Sequence, residues 1–76
     1  SSKVIEDYLQ QLDWFFHLKP ELMMNSLPDI QNALLIVTEA LKLSNSNSDA
    51  LKGKYDAQLA SYQNTLLGII KLLQQP

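Results

Sequence analysis

Residues 55–73, YDAQLASYQNTLLGIIKLL, decide the fold. Tyr55, Leu59, Tyr62, Leu66, Ile69 and Leu73 follow one another at spacings of 4, 3, 4, 3 and 4 residues. A helix turns about 100° per residue, so this spacing keeps all six on one side for about five turns. Leu51 and Ile70 widen the same stripe. A near-heptad seam of this kind packs against other helices at a shallow crossing angle. The predicted helix runs from about Asp49 to Gln74, with Ser48 as its N-cap.

Upstream of it, Ser44 to Asp49 (Ser-Asn-Ser-Asn-Ser-Asp) is polar and low in complexity, which predicts an exposed loop. A second helix is expected from about Leu27 to Leu43. Its face is Leu27, Ile30, Ala33, Leu34, Val37, Ala40 and Leu41. Ser26 is placed to cap it, and Pro28 is tolerated in a first turn, where its missing N–H would have had no partner. A first helix is expected from about Lys3 to Lys19. Val4, Ile5, Tyr8, Leu9, Leu12, Phe15 and Phe16 fall there within an arc of about 140°. Ser2 is its expected cap, and Glu6, Asp7 and Lys19 suit the helix dipole. Pro20 stops it, because the residue before a proline is pushed out of the α region. Glu21 to Asn25 is expected to form a short helical turn between the two. No segment sustains the alternation of a strand. The expected fold is therefore all-α, a single domain folded as an up-down-up antiparallel three-helix bundle.

Composition narrows the function. The chain has 76 residues and no cysteine, so no disulfide, thiolate metal site or cysteine nucleophile is available. A domain this short buries only about 60% of its unfolded surface, which leaves a thin stability margin. All six cations are Lys and the net charge is −2, the opposite of the basic face a nucleic-acid binder needs. No apolar run reaches the roughly 18 residues that would cross a bilayer, and no helix has a cationic polar face for a membrane surface. The start does not read as a signal peptide. Ser1-Ser2 without an initiator Met reads as the start of a domain excised from a larger protein, with an intracellular location, cytoplasmic or nuclear, expected.

No catalytic or metal-binding constellation emerges, so neither enzyme activity nor a cofactor is expected. His17 is the one histidine, and it falls on the polar side of the first helix with Asp13 one turn back. Glu6 and Asp7 are sequence neighbours and point to different sides of a helix, so they cannot flank one substrate. Asp13 and Glu21 are separated by the Pro20 break. Phosphate loops, nucleophile elbows and EF-hand patterns are absent.

What remains is an excess of apolar residues: 46% hydrophobic against 18% charged. Trp14 and Leu18 lie one turn apart, roughly 150° and 110° from the centre of the first stripe. Two readings compete for them. Either the segment from Pro20 to Leu27 folds back, with Met23 or Met24 covering them as a satellite cluster, or they form an exposed aromatic–aliphatic patch of the kind that marks contact sites. In the second case Met23 and Met24 suit an adaptable groove. Leu35, Leu67 and Leu72 also lie off the core stripes. The candidate partner-binding residues are Trp14, Leu18, Met23, Met24 and Leu35.

From Asn32 onward the arrangement resembles the microtubule-interacting-and-trafficking domains. The similar residues are Ala40-Leu41-Lys42, a polar loop, then Leu51-Lys52-Gly53-Lys54-Tyr55, with Tyr62 and Leu66 beyond, a little over half of the chain. The family's Arg-Ala-Glu after the third-helix tyrosine is replaced by Gln63-Asn64-Thr65, and the gap from Pro20 to Ser26 is longer than the family's turn. The resemblance implies a three-helix bundle that grips short helical peptides of membrane-remodelling proteins. With or without it, the expected partner is another protein offering an amphipathic helix. The alternative is self-association into a larger helical core.

Overall fold

The computed structural model describes residues 2–18, 26–46 and 55–75. Three helices account for nearly all of them: α1 (Ser2–Leu18), α2 (Leu27–Ser46) and α3 (Asp56–Leu73). There is no strand among the described residues. The segment expected to form a short helical turn, residues 21–25, lies outside them, as do Leu51 and the expected cap Ser48.

The buried residues trace the helical period. On α1 they are Ile5, Leu9 and Leu12; on α2 Ile30, Ala33, Val37 and Ala40; on α3 Leu59 and Leu66. Each set repeats at three, four or seven residues, so each helix turns one stripe inward. α2 packs against both α1 and α3. Its inward positions include two alanines, and small side chains there let both neighbours approach closely. Tyr8, Phe15, Phe16, Leu34, Leu41, Tyr62, Ile69 and Leu73 are partly buried against this core. Val4, read as part of the α1 stripe, is 41% exposed. It sits at the margin of the stripe, where the arc of about 140° runs out onto the surface.

Ser2, the expected cap of α1, is instead its first residue, and the first turn of α1 holds no acid, since Glu6 and Asp7 come after it. The start of α2 follows local chemistry. Ser26 caps α2 by accepting the Asp29 backbone N–H at 3.4 Å, while its hydroxyl donates to Asp29 Oδ2 at 2.9 Å. Asp29 thereby places a carboxylate in the first turn, where the helix dipole favours it. Asp56 does the same for α3, and Lys71 lies in its last turn.

One boundary departs from expectation. Ser44 does not begin an exposed loop: α2 continues through Ser46, and Ser44 is 1% exposed. Its hydroxyl donates to Asp56 Oδ1 at 2.5 Å, tying the last turn of α2 to the first turn of α3. A buried hydroxyl must find an acceptor, and a carboxylate is a strong one. The bond contributes about 1.5 kcal/mol, the low end for a charged partner, because Asp56 keeps some contact with water. Within the described residues α3 runs from Asp56 to Leu73; its expected start at Asp49 lies outside them.

Gly68 is a weak point in α3. A Cβ added there meets nothing within 4 Å. Glycine inside a helix is worse than alanine by about 1 kcal/mol. Gly68→Ala is therefore expected to stabilise the protein by about 0.5–1 kcal/mol, seen as a raised midpoint in a urea titration. A lowered midpoint would show that something packs against this position.

Candidate partner-binding groove

α1 and α2 do not close completely along their length. Between them runs an open groove of about 590 Å³. Leu12 and Ala33, both buried, form its floor; Phe15 and Ile36, half-buried, line its sides. Trp14 stands at its wall and is 55% exposed. Gln10, Gln11 and Asn32 supply a polar rim, joined by the carboxylates of Asp7 and Asp29. The α1 residues run from 7 to 15, about 12 Å at 1.5 Å per residue. That is room for about two turns of a partner helix, which would place anchors at i, i+4 and i+7.

The expected contact residues are distributed as follows. Trp14 belongs to the groove. Leu35 is 67% exposed but is not among the groove residues. Leu67 and Leu72, at 48% and 54%, are exposed on α3. The Leu18 side chain, and Met23 and Met24 altogether, lie outside the described residues. Of the ten groove residues, sequence reasoning singled out Trp14 alone as a contact and missed the α2 side, Asp29, Asn32 and Ile36 among it. Ile36 carried a usable signal: it sits three residues after Ala33, so the apolar surface of α2 extends to a second side beyond its main stripe.

On its other side α1 faces α3, and beyond the shared apolar core the two are joined by hydrogen bonds and a ring stack. Tyr55 donates its hydroxyl to Glu6 Oε1 at 3.1 Å. The Tyr62 hydroxyl donates to Asp13 Oδ1. Gln58 Nε2 donates to the same Asp13 oxygen at 3.3 Å and to the Tyr62 hydroxyl at 3.2 Å. Phe16 stacks on Tyr62 with ring centroids 4.4 Å apart and planes 14° from parallel, and Phe15 meets Phe16 edge-on at 5.8 Å. Glu6 and Asp7 thus do point to different sides: Glu6 to α3, Asp7 to the groove. His17 is exposed, with Nδ1 2.8 Å from the Asp13 carbonyl oxygen.

Burial raises the Tyr62 pKa above its ordinary 10.0, and the hydrogen bond to Asp13 adds to that while Gln58 opposes it. A raised value means that the folded protein holds this proton more tightly than the unfolded chain does. The stability it contributes is fully present below about pH 10 and is lost as the pH rises through the folded value. Thermal melts between about pH 8 and 11 should fall more steeply above pH 10 for the wild type than for Tyr62→Phe, which keeps the ring stack and has no proton to lose. Parallel curves for the two proteins would contradict this coupling.

Among the described residues no three His, Asp or Glu side chains come together as a metal site, and no helix is long and apolar enough to cross a membrane. The Asp13–Tyr62–Gln58 cluster joins a carboxylate to neutral donors across two helices, which suits a clamp. No family model, curated protein or solved structure matches this chain.

Proposed function

We propose that this chain is a non-catalytic protein–protein interaction module that binds a partner helix in the groove between α1 and α2. The observation that carries this reading is the groove itself: an apolar floor of Leu12 and Ala33, apolar sides, an exposed tryptophan and a polar rim. Buried aromatic anchors ringed by polar residues are the usual anatomy of a binding hot spot. The resemblance to microtubule-interacting-and-trafficking domains points the same way, since those bundles grip short helices.

We infer as well that the bundle runs up-down-up. Two observations support it. The Glu6–Tyr55 and Asp13–Tyr62 bonds advance by seven residues along both α1 and α3 in the same sense. Ser44 joins the end of α2 to the start of α3. Parallel α1 and α3 with an antiparallel α2 between them satisfy both.

The test fills the groove. Asn32 is exposed on the rim, so Asn32→Trp is expected to leave the melting temperature almost unchanged. Helical peptides selected from a display library on the wild-type protein should lose at least about ten-fold in affinity for it, roughly 1.4 kcal/mol. Unchanged affinity would place the binding surface elsewhere. Light scattering on the isolated protein reports the competing outcome: a tight dimer whose interface protects Trp14 would favour self-association.

A further inference from the structure

The groove has a charge as well as a shape. Asp7 and Asp29 both line it, one from each helix, and among its described residues there is no lysine. The chain contains no arginine. The three lysines in the described helices lie elsewhere: Lys3 and Lys71 are not groove residues, and Lys42 is 3.9 Å from Glu39 on the surface of α2. The other two carboxylates of α1 are occupied, because Glu6 accepts from Tyr55 and Asp13 from Tyr62 and Gln58. Asp7 is the acidic side chain that α1 turns toward α2. Asp29 is fixed by Ser26, whose hydroxyl holds one of its oxygens. Gln10, Gln11 and Asn32 can accept hydrogen bonds from a cation without opposing it.

The same charges argue against a second copy as the occupant. A two-fold dimer pairs one patch with itself. Groove against groove would bring two Asp7 and two Asp29 side chains into one partly dehydrated interface, and like charges there are costly.

We propose, resting on the groove reading above, that the occupant is an amphipathic helix of a different protein whose apolar stripe is flanked by lysine or arginine. The apolar anchors enter between α1 and α2, and the flanking cations meet Asp7 and Asp29 at the rim. The rim charges select the partner and speed its encounter; the apolar floor holds it.

The experiment is a selection among defined peptides. A display library of helices about four turns long carries fixed leucines at i, i+4 and i+7, with the flanking positions split equally among Lys, Glu and Gln. It is selected on the wild-type protein at low salt and the survivors are sequenced. Lys should be enriched over Glu about five-fold or more per carboxylate, in line with partly exposed ion pairs. The preference should shrink as salt is added. It should disappear against Asp7→Asn/Asp29→Asn. It should likewise be lost against Gln10→Lys/Gln11→Lys, two exposed positions that bring the rim's formal charge from −2 to 0 and leave the α2 cap untouched. Equal recovery of Lys and Glu peptides, or a preference for Glu on the wild type, overturns the inference about charge. If those peptides are still blocked by Asn32→Trp, the groove reading survives that failure. If Asn32→Trp blocks none of them, the groove reading fails and the charge inference falls with it.

Discussion

Leu66→Ala is expected to destabilise the protein by about 2–5 kcal/mol, the usual range for truncating a buried leucine. Leu66 is 0% exposed and belongs to the central cluster with Leu12, Ile30, Val37 and Leu59. Removing three carbons there loses their transfer free energy and leaves a cavity that rigid helices fill poorly. Domains are stable by roughly 0.05–0.15 kcal/mol per residue, which for this length is about 4–11 kcal/mol in all. The substitution therefore removes a large share of the total and brings the melting temperature down by roughly 8–40 degrees. A urea titration gives the figure directly. If the midpoint barely moves, the seam that begins at Tyr55 is not the core.

Trp14→Ala is expected to behave in the opposite way. With 55% of its surface open, Trp14 contributes less to stability than a buried tryptophan, for which truncation costs about 3–5 kcal/mol. It is not free of contacts, since it has an interaction of its own within the chain, so a loss of roughly 1–2 kcal/mol is expected, scaled from the buried case by its exposure. Its effect on binding is expected to be larger, about 2 kcal/mol or more, close to a thirty-fold loss, because an aromatic side chain at a groove wall has the character of an anchor. Calorimetry of the mutant with a selected helical peptide and a thermal melt of the mutant alone separate the two quantities. A melt that shows 3–5 kcal/mol lost with peptide affinity intact would make Trp14 part of a satellite core instead.

The three helices were legible in the sequence because each punctuates itself. Pro20 and Pro28 bracket the break between α1 and α2, Ser26 caps α2, and the spacing from Tyr55 to Leu73 admits one periodicity. The end of α2 was misread because Ser-Asn-Ser-Asn composition suggests a loop. The period carried the better signal. Ile30, Ala33, Val37, Ala40 and Ser44 step by three and four residues, so Ser44 continues the inward stripe and is buried where a serine needs a partner. That partner, Asp56, lies twelve residues on, and no local pattern announces it. Contacts between helices were illegible for the same reason. Asp13 and Tyr62 meet only because α1 and α3 adopt one particular rotation, and a helical wheel describes each helix alone. Trp14 could be singled out as lying off its stripe. Ile36 could have been, from its spacing to Ala33, but its place beside Trp14, like that of Asp29 and Asn32, depends on how α1 and α2 are rotated against each other. Leu35 shows the converse: apolar and off its stripe, it lies on the surface of α2 outside the groove, as scattered surface leucines often do.

The most direct measurement of the central claim is a map of backbone amide shifts for the protein, labelled with nitrogen-15 and titrated with a selected helical peptide. Binding in the groove predicts the largest shifts at Gln10, Gln11, Trp14, Phe15, Asn32 and Ile36, with the Trp14 indole N–H moving as well and the outer face of α3 nearly silent. Shifts concentrated at Leu67, Gly68 and Leu72, with the α1–α2 residues unmoved, would contradict it.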